Sequence, residues 1–139
     1  MVAQSGKDPV HVVDIQATFA SQGLLVKYDA SGILATASVT DKPIGVTVQE
    51  SSRDADGVLE AAGTGTVSVW PLDGIMYIKS VAKSSPKFGM SVYVSQTAST
   101  DGYVEFDSSN SATFVGYYFG GEDDISAGDL IPVSCNAGV

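Results

Sequence analysis

Chemistry in this chain would have to start from His11, from two acidic clusters, or from Cys135. His11 is the only histidine, so any Ser-His-Asp relay must run through it. It stands in Pro9-Val10-His11-Val12-Val13, close to the N-terminus, where a rigid shell to orient the imidazole is hardest to build. No Gly-x-Ser-x-Gly elbow occurs among the serines. Glu50 with Asp54 and Asp56, and Glu122-Asp123-Asp124 with Asp129, could flank a glycosidic bond or hold a cation. Asp54-Ala55-Asp56-Gly57 opens like a calcium loop, but Glu60 comes too early and no Glu closes the loop. Carboxylates in such turns ordinarily face water. Cys135 is the single cysteine, which excludes an intramolecular disulfide and a cysteine-rich zinc site. Alternation sets it beside Ile131 and Val133, as a small buried side chain. Gly63-Thr64-Gly65 precedes a strand, not a helix, and so does not cradle phosphate in the usual way. The sequence therefore predicts no catalytic residue, no metal site and no cofactor.

The elements that would hold these residues are strands. Leu24, Val26 and Tyr28 alternate with Leu25 and Lys27; Ile44, Val46 and Val48 with Thr47 and Gln49; Val67 and Val69 with Ser68 and Trp70; Val92 and Val94 with Ser91 and Tyr93. Residues 114–119 are apolar on both faces, which predicts a central strand or one pressed against a second subunit. Turn signals fall between them at 29–32, 54–57, 100–102 and 126–129. One short helical turn fits residues 14–22. Residues 75–82 alternate as a strand, although Lys79, Lys83 and Lys87 repeat every four residues as on a helix face; Pro86 favours the extended reading.

The second half repeats the plan of the first. Gly45 and Gly57 are spaced as Gly116 and Gly128 are, and between each pair runs an apolar strand followed by an acidic turn. Gly23-Leu24-Leu25-Val26 is answered by Gly89-Met90-Ser91-Val92. The expected fold is all-β: a compact β-sandwich or small barrel built from two related half-units, with little helix. The expected division is an N-terminal arm over 1–20 and a single β domain over 21–139. Within that domain the half-units cover about 21–72 and 88–135, joined by a connector at 73–87.

Composition agrees. Of 139 residues, 44% are hydrophobic and only 17% charged, below the usual quarter, which suits strands and turns and not a disordered tail. The net charge of −9 leaves no basic groove, so nucleic acid is not an expected partner. No apolar run approaches the ~20 residues of a membrane span, and the N-terminus does not read as a secretory signal. Trp70, the only Trp, lies opposite Val67 and Val69 on a face that is otherwise polar. There it is an interface anchor or part of a second small core. The stretch from Val10 through Val12 and Val13 to Ile15 alternates weakly; such an arm can add a strand to a neighbour's sheet edge or hang free.

Taken in order, residues 23–32, Pro43-Ile44-Gly45-Val46, Gly65-Thr66-Val67-Ser68-Val69, residues 89–94, Val115-Gly116 and residues 128–133 resemble the capsid cement (decoration) proteins of tailed double-stranded DNA viruses. The resemblance covers about residues 21–135. The acidic 53–63 segment and the 70–87 stretch depart from the family pattern. The resemblance implies a structural virion protein with no active site, bound to the outer surface of an icosahedral capsid. It implies a homotrimer at local three-fold positions, with the major capsid protein as partner. Bridging of capsid subunits would then resist internal DNA pressure. Expected contact residues are Val10, Val12 and Val13 of the arm, Trp70, and Phe114, Tyr117 and Phe119 of the apolar strand. The alternative is a carbohydrate- or surface-binding module of a fibre or adhesin, with Trp70, Tyr77, Tyr103, Tyr117 and Tyr118 stacking on sugars. A hydrolase acting through Asp123 or Asp124 is the remaining reading.

Overall fold

The computed structural model describes residues 10–13, 19, 21–28, 34–60, 65–106 and 112–135. Among the described residues ten strands form: β1 (Val10–Val13), β2 (Leu25–Tyr28), β3 (Leu34–Thr36), β4 (Gly45–Thr47), β5 (Thr66–Pro71), β6 (Gly74–Lys79), β7 (Ser91–Val94), β8 (Val104–Glu105), β9 (Phe114–Tyr118) and β10 (Leu130–Cys135). A single 3-10 turn, Ala98–Thr100, is the only helical element among the described residues. The fold is all-β, two packed antiparallel sheets. The helical turn expected over 14–22 and the 29–32 turn lie largely outside the described residues.

The first sheet runs β1-β5-β4-β2-β3 and the second β6-β10-β9-β7-β8. Add five to each label of the first and the second order results. The registers agree as well. Val26 lies opposite Gly45, and Gly45 opposite Pro71; Val92 lies opposite Gly116, and Gly116 opposite Cys135. A Cβ on Gly45 would run into the Val69 side chain and the Trp70 carbonyl, and one on Gly116 into the Val133 side chain and the Ser134 carbonyl. The two glycines therefore solve the same steric problem, a close approach of the neighbouring strand's backbone that leaves no room for a side chain.

Strand β6 lies in the first part of the segment expected as a connector, and it is an edge strand of the second sheet. Its buried Met76 and Ile78 alternate with the outward Ile75, Tyr77 and Lys79, so the strand period overrides the four-residue lysine spacing. Strand β1, within the N-terminal arm, takes the edge of its own chain's first sheet, with Val10 opposite Val69 and Val12 opposite Val67.

Among the described residues, two apolar clusters hold the sheets together. The larger joins Leu25, Val46, Val48 and Trp70 of the first sheet to Met76, Ile78, Val92, Val133 and Cys135 of the second. The smaller lies on the first sheet's other side, where Phe19 covers Leu24, Val26, Val67 and Val69. Phe19 is fixed by its backbone: its N–H donates to Ser51 Oγ (2.8 Å) and its carbonyl accepts from the Ser51 N–H (2.8 Å). Backbone bonds also join the two sheets, from Leu25 N to Gly102 O, from Gly102 N to Ala37 O, and from Lys79 N to Gly23 O, each 2.8 Å. Burying Trp70 alone removes a large apolar area from water, on the order of 3 kcal/mol.

Candidate interaction surface

The outward side of the second sheet is the strongest candidate for a functional surface, and strand alternation builds it. In β10, Ile131, Val133 and Cys135 point into the core, which turns Leu130, Pro132 and Ser134 out. In β7, Val92 and Val94 point in and Ser91 and Tyr93 out. Cross-strand register aligns a row across four strands: Ser91, Tyr117, Ser134 and Ile75. Tyr77 sits opposite Pro132, and Phe114 opposite Tyr93. A β-bulge between Val92 and Tyr93 lets β9 bury Val115 and Gly116 in succession, leaving Phe114 and Tyr117 outward.

Aromatic contacts link these side chains. Phe114 meets Tyr117 at 5.2 Å between ring centroids and Tyr93 at 5.8 Å, both edge-to-face. Phe88 meets Phe119 at 4.6 Å. Ile75, Tyr117, Phe119 and Phe88 are 42, 44, 40 and 65% exposed. This exposed apolar surface on one side of one sheet is what makes it the candidate contact surface.

Of the expected contact residues, the structure brings together Phe114, Tyr117 and Phe119, the central strand and its end. Val10, Val12 and Val13 lie apart from them, on the outer strand of the first sheet. Trp70 is corrected. Its side chain is 8% exposed and belongs to the main core, because the first sheet has a core on each face and the side opposite Val67 and Val69 is no wetter than theirs. Ile75, Tyr93 and Phe88 were not expected on the surface, and Tyr77 was expected there only as a sugar-stacking aromatic. The signal was present in the alternation of β6 and β7, but that alternation placed β6 as a strand within the connector and assigned it to no sheet. The sugar-stacking set does not assemble: Trp70 and Tyr118 are buried, and Tyr103 packs on the smaller cluster.

The acidic groups serve as turn and loop supports. Asp54 Oδ1 accepts from Asp56 N (2.9 Å) and Val58 N (3.0 Å), while Arg53 bridges Glu50 and the Gly57 carbonyl. Asp124 accepts from Ser85 N and Asp129 from Ser126 N. Among the described residues no three His, Cys, Asp or Glu side chains converge as metal ligands. Tyr118 donates to the Gly121 carbonyl (2.7 Å); burial, and then the Asp123 charge, push its hydroxyl above the ordinary tyrosine range. Burial pushes the Cys135 thiol up to about 12, so it is an inert core side chain. Asp41 is partly desolvated, but bonds from Lys27 (2.8 Å) and from Ser38 outweigh that and hold its carboxyl below the usual range.

The sequence matches the family described as structural cement protein (E217 gp24/Pam3 gp6) over residues 3–136. No curated protein matches it. The match spans nearly the whole chain, and the chain therefore belongs to that family of phage cement proteins. It is a non-enzymatic structural component of the virion, associated with capsid proteins.

Proposed function

We propose that this cement protein sits on the outer surface of its capsid and bridges neighbouring major capsid subunits, stabilising the shell against the pressure of packaged DNA. The exposed apolar face of the second sheet is the observation that carries the proposal, since adhesion needs desolvated area and no chemistry. Three copies around a local three-fold position, joined along the first sheet's β1 edge with Val10, Val12 and Val13, would present three such faces to one shell. Each contact can be weak, because linkage of several sites around a closed lattice raises occupancy by orders of magnitude. Phe114, Tyr117 and Phe119 stand in the shell contact; Trp70 supports it from inside. We further propose that the chain is organised as two related half-units, which the common strand order and the paired glycines favour. The direct test compares phage shells with and without the protein during stepwise heating, with DNA release as the readout. Decorated shells should release DNA at a higher temperature. Equal release temperatures at full occupancy would overturn the bridging role.

A further inference from the structure

The two sheets are not mirror images across the core. Matched through Gly45 and Gly116, the row Leu25–Val46–Trp70 of the first sheet corresponds to the row Ser91–Tyr117–Ser134 of the second. The first row is buried, packed in the core against Met76, Val92 and Val133. The second row is the outward one. The sheets are thus stacked in one sense, the back of the first on the front of the second. The stack ends on a second back that no described residue covers.

Charge says what fits there. The strand residues of that face carry only Lys79 and Glu105, at its two edge strands, in a chain of net charge −9. At one margin Tyr77, Leu130 and Pro132 of the face meet Asp123, Asp124 and Asp129 in a shared groove that no Lys or Arg lines. Lys87 lies nearby but is bonded to Glu122. A second copy would bring a second net charge of −9 and no excess of cations to offer these carboxylates, so like charges repel. A partner with an apolar centre and a cationic margin would neutralise them.

We propose that this face seats on a major capsid subunit, against an uncharged apolar patch whose flanking Lys or Arg side chains enter the groove at Asp123, Asp124 and Asp129. The inference rests on the cement reading and names the surface and the partner chemistry that reading needs.

Cosedimentation with purified shells lacking the protein tests it, using wild type, Tyr117→Asp, Ile75→Glu and Asp123→Lys. Val58→Asp, at an exposed position in the first half of the chain, serves as control. Wild type and Val58→Asp should bind alike, and both face variants should lose at least about tenfold in apparent affinity. Asp123→Lys should bind several-fold more weakly, and added salt should weaken the wild type more than this variant. Circular dichroism melts establish that each variant is folded, and Ile75→Glu stands in if Tyr117→Asp is not. If wild type itself fails to bind shells, the cement reading falls and this inference with it. If wild type binds and the folded face variants bind equally well, the inference alone is overturned. It is also overturned if the face variants change only the copy number seen by light scattering, because the face then belongs to a second copy.

Discussion

Among the described residues, the first sheet has a core on each face and the second has a core on one, although both follow the same strand order and hold the same kind of crowded glycine. Where Leu25, Val46 and Trp70 fill a core, Ser91, Tyr117 and Ser134 face outward. The comparison separates two demands on one design. Side chains that correspond and are buried in both sheets, such as Val26 and Val92 or Val69 and Val133, answer to folding. Those that correspond but differ in burial, above all Val46 and Tyr117, answer to what each sheet must touch.

The largest effect should come from the glycines the sheets have in common. Gly45→Ala and Gly116→Ala should each cost about 3 kcal/mol or more in urea unfolding, because the added methyl meets a carbonyl of the neighbouring strand and backbone must move. Tolerance of one but not the other would break the correspondence on which the comparison rests.

Next in size is the contrast between the rows. Trp70→Ala should destabilise by about 3–5 kcal/mol, as a cavity in the main core. Tyr117→Ala should cost under about 1 kcal/mol in the same assay while it weakens shell binding. Similar losses of stability at both positions would mean that the outward row is a folding surface after all.

The smallest effect concerns two carboxyl groups shifted in opposite directions. Asp41 is held below its ordinary range, so its charged form stabilises the fold at neutral pH, and that contribution disappears as pH falls through its folded pKa. Asp41→Asn should therefore lose about 1 kcal/mol at pH 7, with the gap closing in acid. Asp101 is raised by burial and by the Asp41 charge, so its ionisation opposes folding as pH climbs through its folded pKa. Asp101→Asn should be neutral or slightly stabilising at pH 7. Thermal melts from pH 3 to 7 check both directions.

Much of this fold is written in two-residue alternation. Strands β2, β4, β5, β7, β9 and β10 follow from it, and the apolar run over 114–119 is indeed the middle strand of its sheet. The repeated glycine spacing anticipated the common strand order of the two sheets, because a close backbone approach leaves no substitute for glycine. Alternation says which residues share a face, but not which face is wet. That is why Trp70 was open to two readings, an outward anchor or part of a second small core: a sheet with a core on each side has no polar face for its Ser68 and Trp70 to occupy, and Trp70 lies in the main core. Strand β6 was legible as the strand in the first part of the connector, from Met76 and Ile78 at the strand spacing against three lysines at a helical one, but its place at the edge of the second sheet was not. The outward aromatic surface was legible only in part, because it is assembled from four strands distant in sequence and aligned by register.

Hydrogen exchange on the free and shell-bound protein tests the central claim most directly. Binding should slow exchange in β6, β9 and the 119–124 loop, while the 54–58 turn of the first half exchanges as it does free. Slowing confined to the 54–58 turn and its surroundings, with the second sheet unchanged, would contradict the account.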